Sequence, residues 1–337
     1  MNYVEKLVTK MREEAYEEEY ISLCASYASK LLKNNVPVIF DFKHLALLLG
    51  CEPSELTFYL FARDEQFYSE IQIPKKNGEK RTIDIPSEQL KNIQRWILDN
   101  ILIQYELHED CFGFRKGKSI CDNAARHVKK ECVLNFDLKD FFPSIKYEDV
   151  YYLFYNKGYT KKVSYYLAKL LTKDGVLPQG SPASPMVSNI VALKLDKRLS
   201  CLAKKYNAEY SRYADDITFS GKRNITNMIS LVKDIIKDEN FKVNENKIRY
   251  AYYYQRQEVT GLIVNEKVSV SKAYIRELKK EIFFCQKYGV NSHLQRINCS
   301  KSFYKEHLFG KAYFVYMVEE DLGTKLLIEL NKIEWEY

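Results

Sequence analysis

The sequence predicts an α+β fold built from antiparallel hairpins and amphipathic helices. Residues 71–86 alternate apolar and polar side chains on both sides of Asn77-Gly78, which is a strong hairpin signal. Residues 210–221 are rich in aromatic and β-branched side chains and end at a glycine, which predicts a second hairpin. Long segments with apolar residues at helical spacing precede, separate and follow these hairpins. With 337 residues, 46% of them hydrophobic, the chain can bury a sizeable core in two or three subdomains.

The composition narrows the class of protein. No run of about 18 apolar residues occurs, so we expect no membrane partner. The N-terminus is acidic, unlike a signal or transit peptide, and the cytoplasm is the expected location. The eight cysteines form no C-x-x-C pair, which favours reduced thiols over a zinc site or disulfide framework.

The charge distribution is compatible with a nucleic-acid partner. The net charge is +7, and residues 272–311 alone hold nine basic and three acidic residues. Many of the 27 tyrosines lie beside lysine or arginine, as residues 250–256 (YAYYYQR) illustrate. Aromatic faces beside cations suit stacked bases and phosphates. A packed core with solvated edges would produce a similar pattern.

The N-terminal third is assigned to helices followed by the first hairpin. Two helices fill residues 3–34, and Asp41 and Ser54 are plausible N-caps of two short helices. In the hairpin, Lys80 and Arg81 point to opposite faces because side chains alternate along a strand. Arg81 is the better phosphate clamp because its planar guanidinium donates in pairs. A basic hairpin that only keeps a sheet edge soluble is the alternative.

Further along, Ser119 caps a helix that contains Asn123 and His127. Their spacing of four residues places both on one helix face, from which they can reach one partner. A capped amphipathic helix with no chemical role explains the same pattern. Later, residues 177–185 (LPQGSPASP) form a loop in which Gln179 presents an amide and Gly180 allows close backbone approach.

Three aspartates are the candidate catalytic groups. Asp215 and Asp216 lie at the tip of the second hairpin, and Asp137 ends a short buried-type strand, residues 132–136. By themselves, Asp215 and Asp216 are more typical of a solvated turn than of a metal site. If adjacent strands bring Asp137 to them, the three carboxylates can hold two divalent cations about 3.5–4 Å apart. Such a site supports in-line phosphoryl transfer, in which the attacking oxygen belongs to the substrate.

These stretches, in this order, resemble the motifs of reverse transcriptases. FDLKDFF is similar to the first palm motif, LPQGSPASP to the loop-helix motif, and YADD to the metal-binding hairpin. IPKKNGEKRTIDIP resembles the fingers hairpin, Lys247 falls in the next palm strand, and EVTG in the hairpin after it. The resemblance implies a right-hand polymerase fold with fingers, an antiparallel palm and a helical thumb. The implied division is an N-terminal helical extension at 1–70, fingers at 71–131 with part of 147–176 packing between fingers and palm, a palm at 132–271, and a basic thumb at 272–337.

The resemblance also implies roles for individual residues. Asp137, Asp215 and Asp216, with the Leu138 carbonyl, would hold two Mg²⁺ ions, for which Mn²⁺ can substitute. The residues implied to bind the dNTP are Lys80, Arg81, Phe142, Gln179, Gly180 and Lys247. Phe142 occupies the position of the aromatic steric gate against ribonucleotides, which implies DNA synthesis rather than RNA synthesis.

Two further motifs resemble those of bacterial retron reverse transcriptases. Asn123 to His127 matches N-A-x-x-H, and Val259 to Gly261 matches V-T-G. The implied partners are a cognate noncoding RNA (msr-msd), its branched msDNA product primed from an internal guanosine 2′-hydroxyl, dNTPs and an effector protein in phage defence. The residues implied to recognise RNA are Asn123, His127, Val259, Thr260, Gly261, Lys272, Arg276, Lys279, Lys280 and Arg296.

Two other interpretations share the same fold. A group II intron-like or diversity-generating reverse transcriptase has the same palm carboxylates, but the paired N-A-x-x-H and V-T-G motifs argue against it. A catalytically silent RNA-binding scaffold is the second. The presence of all three carboxylates argues against a scaffold, which has no need for converging negative charge beside nucleic acid.

Overall fold

The computed structural model describes residues 2–74, 78, 80–298 and 303–335. Lys75, Lys76 and Asn77 of the predicted basic turn lie outside the described residues, as do Cys299 and Lys301. The described cysteines are free thiols, as predicted. Within the described part of the chain, no helix is long and apolar enough to cross a bilayer.

The predicted mixture of helices and antiparallel strands is confirmed. The helices are α1 Tyr3–Glu13, α2 Glu18–Lys33, α3 Phe42–Leu49, α4 Pro53–Phe61, α5 Glu88–Asn100, α6 Ile120–Ala125, α7 Phe141–Ser144, α8 Tyr147–Lys157, α9 Lys161–Leu171, α10 Ser184–Val191, α11 Leu193–Lys205, α12 Ile229–Asp238, α13 Lys272–Tyr288, α14 Val290–Arg296, α15 Tyr304–Val318 and α16 Glu320–Asn331. The strands are β1 Tyr68–Pro74, β2 Lys80–Pro86, β3 Cys132–Asp137, β4 Glu209–Tyr213, β5 Asp216–Gly221, β6 Arg249–Tyr252, β7 Glu258–Val259 and β8 Leu262–Ile263.

The chain forms two compact units that interleave along the sequence. The first unit contains residues 1–114, 138–199 and 232–244, and the second contains residues 115–137, 200–231 and 245–337. The four-part division into extension, fingers, palm and thumb stays a prediction.

In the first unit, α9 is the central helix. It packs against α3, α4, α5 and α8. Its buried apolar residues include Val163, Leu167, Leu170 and Leu171, which follow the spacing of one helix face. The same unit holds the β1–β2 hairpin, paired antiparallel from Tyr68 opposite Pro86 to Pro74 opposite Lys80.

In the second unit, a four-stranded antiparallel sheet has the order β4-β5-β3-β6. One apolar core joins Val133 of β3 to Val259 and Leu262 of the β7–β8 hairpin and to the buried faces of α13, α15 and α16. This packing fixes the β7–β8 hairpin against the helical C-terminal region.

Three local predictions are wrong, each for a local reason. The second short helix is capped by Glu52 and begins at Pro53, so Ser54 is inside it. The helix α6 ends at Ala125, so His127 lies beyond it and does not share a helix face with Asn123. Lys247 lies in a 3₁₀ turn, Glu245–Lys247, and not on the strand, which begins at Arg249.

Candidate active site

The β4–β5 hairpin carries Asp215 and Asp216 in the predicted manner. Tyr213 pairs with Asp216, so Ala214 and Asp215 form the two-residue turn between the strands. Ala214 has a positive φ of 57°, as the first central residue of a primed two-residue hairpin turn does. Asp216 is thereby the first residue of β5, and its position is fixed by strand pairing.

Asp137 lies directly across the sheet from Asp216. Strands β3 and β5 pair antiparallel with Asp137 opposite Asp216, at the ends of both strands. Directly opposed residues have Cβ atoms about 4.5–5.5 Å apart. Burial, followed by the charges of Asp215 and Asp137, raises the pKa of Asp216 to about 6, against the lowering effect of Arg249 and Lys247. The three predicted carboxylates therefore influence one another electrostatically. They lie at the end of the sheet where β3 ends and β5 begins, which is called the catalytic edge below.

Lys247 contacts this edge directly. Its Nζ lies 2.7 Å from Oδ2 of Asp137, and the Asp137 side chain is only 13% exposed. The ammonium thus compensates part of the negative charge. The predicted contact of Lys247 with the nucleotide stays a prediction; its partner in this structure is the Asp137 carboxylate.

Among the described residues, no group of three or more His, Cys, Asp or Glu side chains is arranged as a closed metal site. The donor set nonetheless fits hard divalent cations, because carboxylate oxygens are the ligands that such ions prefer. Desolvation, and after it the repulsion by Asp215 and Asp137, raises the pKa of Asp216 despite Arg249 and Lys247, and a bound cation would offset that repulsion. Asp137, Asp215 and Asp216 would hold the ions, and the predicted Leu138 carbonyl ligand stays a prediction.

In the first unit, the fingers-like hairpin is joined to the Gln179 loop. Lys80 and Arg81 are neighbours at the exposed start of β2. Further along β2, the Asp84 N–H donates to the Gln179 carbonyl oxygen at 2.8 Å. Gly180 has φ of 134°, and a Cβ at that position would collide with the Asp84 carbonyl oxygen. The close backbone approach predicted for Gly180 is made here to Asp84, and the lining of a nucleotide pocket by Gly180 stays a prediction.

Lys173 reinforces this junction, and sequence reasoning missed it. Its Nζ lies 2.5 Å from Asp84 Oδ1 and 2.6 Å from Glu70 Oε1, and its side chain is 9% exposed. Burial alone would lower the pKa of Lys173, but the bonds to Asp84 and Glu70 raise it to about 12. The ammonium is therefore a permanent positive link between β1, β2 and the segment before Gln179.

Phe142 belongs to the short helix α7. Its N-cap, Asp140, is in the left-handed conformation with φ of 48° and makes no side-chain cap. The Phe142 ring is half-buried against Phe114 and Phe141, with centroid distances of 6.1 and 5.6 Å. The ring is thus held in place by aromatic neighbours within the first unit, and its role as a steric gate stays a prediction.

The two motifs predicted to recognise RNA meet in the second unit. Thr260 and Gly261 form the β7–β8 turn, with φ of 47° and 82°. The Asn123 Nδ2 donates to Thr260 Oγ1 at 3.5 Å, and Thr260 Oγ1 donates to the Ile120 carbonyl oxygen at 3.5 Å. Left-handed backbone at a β-branched residue is strained, so these contacts hold Thr260 in an unfavourable conformation.

His127 has a separate set of contacts. Its Nδ1 lies 2.7 Å from Ser220 Oγ on β5, and its Nε2 lies 2.7 Å from Ser211 Oγ on β4. The ring is fully buried, and burial, with Arg126 and Lys130, lowers its pKa to about 3. His127 therefore bridges, as a neutral ring, the two strands that carry the Asp215-Asp216 turn.

Burial limits what these motif residues can contact. Asn123, His127 and Val259 are all about 0–1% exposed, so their side chains offer no surface to RNA in this structure. Any effect on RNA recognition would act through the elements that they position, and such an effect stays a prediction. The basic residues differ, because they are exposed on α13 and at the end of α14: Lys272, Arg276, Lys279, Lys280 and Arg296.

The geometry and the motifs agree with comparisons to known proteins. A family profile described as reverse transcriptase (RNA-dependent DNA polymerase) matches residues 73–272. The chain therefore belongs to the reverse transcriptase family, and the right-hand fold predicted for it is that of the family.

The relatives narrow the family further. The chain is 33% identical to the retron Mx162 reverse transcriptase of Myxococcus xanthus, over 89% of this chain and 68% of the relative. It is 30% identical to the retron Ec86 reverse transcriptase of Escherichia coli, over 91% of this chain and 94% of the relative. Within the family it is a retron reverse transcriptase. Among solved structures, a telomerase from Candida albicans shares 11% identity at a TM-score of 0.47, covering 80% of this chain and 61% of that one.

Proposed function

We propose that this reverse transcriptase makes DNA at the sheet edge formed by Asp137, Asp215 and Asp216. The observation that carries the proposal is the strand register that places Asp137 opposite Asp216. Two divalent cations, Mg²⁺ or Mn²⁺, bound by these carboxylates would activate the attacking hydroxyl and stabilise the leaving pyrophosphate. The protein's own contribution is to hold the carboxylates in register on a rigid sheet, with Lys247 offsetting their charge.

In the first unit, the incoming dNTP is assigned to the exposed start of β2, the Gln179 loop and Phe142; in the second unit, Lys247 is a separate candidate for contact with it. Arg81 and Lys80 would bind the triphosphate through their exposed cationic ends. Gln179 and Gly180 would line the nucleotide pocket, with the loop held in place by the Asp84 backbone bond and by Lys173. Phe142 would exclude a ribose 2′-hydroxyl by its bulk.

We further propose that the template is a cognate noncoding RNA (msr-msd) encoded beside the enzyme. Synthesis would start from the 2′-hydroxyl of an internal guanosine and yield branched msDNA. Support comes from the retron relatives and from the contact between Asn123 and Thr260, which brings both distinctive motifs together.

Recognition of the RNA is assigned to the exposed basic helices of the second unit. Their cations would contact phosphates and 2′-hydroxyls of RNA stems, so binding should weaken steeply as salt rises. Asn123, His127, Val259, Thr260 and Gly261 would act by fixing the strands and turn next to those helices. The last part of the proposal is that the enzyme acts in the cytoplasm, in phage defence, together with an effector protein.

The product of the enzyme tests the retron proposal. The protein would be purified from its host, and its bound nucleic acid treated separately with RNase and with DNase. We expect a short DNA that remains joined to a ribonucleotide through a 2′,5′ branch, because priming uses an internal 2′-hydroxyl. The matched control is Asp215→Asn, which should carry RNA alone. Linear, unbranched DNA from the wild type would contradict the branched-product proposal while leaving reverse transcription intact.

A further inference from the structure

An exposed row of tyrosines follows the edge of the sheet in the second unit. Strand β6 is the last strand in the order β4-β5-β3-β6, formed by the described residues. Tyr250 is 52% exposed, Tyr253 46% and Tyr254 74%. Tyr250 lies on β6, and Tyr253 and Tyr254 lie in the turn that follows it; a patch of exposed aromatic rings at a sheet edge often marks a binding surface. Their presence calls for a ligand that covers them.

Two of the rings stack on each other, and a third meets one of them edge to face. The centroids of Tyr252 and Tyr254 lie 5.9 Å apart with planes inclined by 26°, and those of Tyr250 and Tyr252 lie 5.6 Å apart with planes inclined by 67°. The Arg223 guanidinium lies 5.6 Å from the centroid of the Tyr252 ring. Tyr250 and Tyr252 share one face of β6, and Tyr254 lies in the turn that follows; exposed ring faces with a cation beside one of them can take up unpaired bases.

A cavity of about 270 Å³ adjoins the row at the end nearer to the catalytic carboxylates. Its lining includes Asn135, Arg249, Tyr250, Gln255, Arg256 and Glu258, and the Arg256 guanidinium pairs with the Glu258 carboxylate at 2.7 Å. Arg249 pairs with Asn135, which lies on the same face of β3 as Asp137 and two residues before it. Two residues of a strand span about 7 Å. The cavity thus begins about 7 Å along the strand from Asp137, and β6 runs away from the catalytic edge.

We propose that the cavity and the tyrosine row bind a single-stranded nucleic-acid segment next to the catalytic edge. Arg249 and Arg256 bind its phosphates at the cavity, and Tyr250, Tyr252 and Tyr254 stack on its bases. The occupant is single-stranded because bases in a duplex are already stacked and paired, and side-chain rings reach only unpaired ones. The surface lies outside the predicted motifs, and binding there does not depend on which hydroxyl primes synthesis.

The test is binding of labelled oligonucleotides to the full-length protein freed of nucleic acid. The probes are oligouridylate RNA, oligothymidylate DNA and a blunt duplex of equal length, measured by fluorescence anisotropy at one salt concentration. The variants are Tyr254→Ala, Tyr250→Ala/Tyr254→Ala and Tyr254→Phe. Tyr313→Ala is the matched control, because Tyr313 is also exposed, at 57%, on α15.

We expect Tyr250→Ala/Tyr254→Ala to weaken single-strand binding by about fivefold to a hundredfold, because stacking on each ring is lost. Tyr254→Phe should bind like the wild type, since its ring remains, and duplex binding should not change. Loss with RNA alone would identify the segment as template or primer RNA, and loss with DNA alone as product; both support the site.

Two results would overturn the proposal. One is single-strand affinity in the double variant equal to that of Tyr313→Ala. The other is an equal loss with the duplex, which would indicate a general change in the protein. Extension of a pre-annealed primer by the same variants separates this proposal from the catalytic one, because that activity rests on the three aspartates.

Discussion

Lys247 and Asp137 form an ion pair at the catalytic edge, with 2.7 Å between Nζ and Oδ2. A protein cation therefore occupies a carboxylate that a divalent ion would also use. The Lys247 side chain is 58% exposed, so solvent screens the pair. Exposed pairs contribute about 0–1 kcal/mol, which limits how strongly Lys247 can compete with an ion.

Replacing Lys247 by methionine should therefore raise the affinity for Mg²⁺ by at most about fivefold. DNA synthesis should nonetheless slow, if Lys247 contributes to nucleotide binding as predicted. Mg²⁺ titration by calorimetry and single-turnover extension would measure the two effects. Lys242→Met, which removes an exposed lysine elsewhere, is the control. An unchanged Mg²⁺ affinity would mean that the ion pair does not compete with metal.

Without bound metal, the ionised Asp216 carboxylate should lower the stability of the folded protein at neutral pH. Its folded pKa of about 6 lies above its ordinary 3.8, so the stability it contributes is present below pH 3.8 and is lost as pH rises through 6. Asp216→Asn should stabilise the protein at pH 7, because it removes a charge that Asp215 and Asp137 repel; the residue is exposed, so solvent screening limits the gain to about 1 kcal/mol. Denaturant unfolding without divalent ions measures this. A destabilised Asp216→Asn would show that the carboxylate is not under repulsion.

Lys173 should matter for nucleotide binding although it is remote in sequence from Lys80 and Arg81. Lys173→Met leaves Asp84 and Glu70 without their cation, so we expect a loss of about 1–2 kcal/mol in stability. The KM for dNTP should rise about tenfold with a smaller change in kcat, since a hairpin that binds the triphosphate becomes less well positioned.

Steady-state kinetics with varied dNTP would check this, with Lys162→Met as an exposed control and Lys173→Arg as a partial rescue. Gly180→Ala, which collides with the Asp84 carbonyl, should change KM in the same direction. Lost stability with an unchanged KM would show that Lys173 supports only the fold.

Because His127 is buried as a neutral ring, we expect the stability of the folded protein to fall in acid. Its ordinary pKa is 6.5 and its folded pKa about 3, so the unfolded chain takes up a proton in this interval and the folded protein does not. The stability is full above pH 6.5 and falls as pH decreases towards 3. From pH 7 to pH 5 the wild type should lose about 2 kcal/mol more than His127→Gln. Equal losses in chemical denaturation would mean that the ring can be protonated in the folded state.

The residues that sequence reasoning placed correctly share a local signal. The β1–β2 and β4–β5 hairpins follow from alternation and turn residues, and the pairing of Asp137 with Asp216 follows once β3 lies beside β5. Strand periodicity determines which side chains share a face, so a hairpin register can be derived from the sequence.

What could not be derived depends on contacts between distant segments. Nothing in the sequence around Lys173 distinguishes it from other lysines. Its partners Glu70 and Asp84 are about 100 positions away in the chain and come beside it only in the folded protein. His127 was assigned to a helix face by its spacing from Asn123, but two serines of the sheet decide its position. Propensity and spacing carry no information about such partners.

The most direct test of the catalytic edge is extension of a DNA primer pre-annealed to an RNA template, with Mg²⁺ and all four dNTPs. Asp215→Asn would be compared with wild type and with Asp234→Asn, which changes an exposed aspartate of α12. We predict that Asp215→Asn folds and binds the RNA template but extends the primer more than about a hundredfold more slowly. Asp234→Asn should match the wild type. Wild-type extension by Asp215→Asn would contradict the assignment of the three aspartates as the catalytic metal ligands.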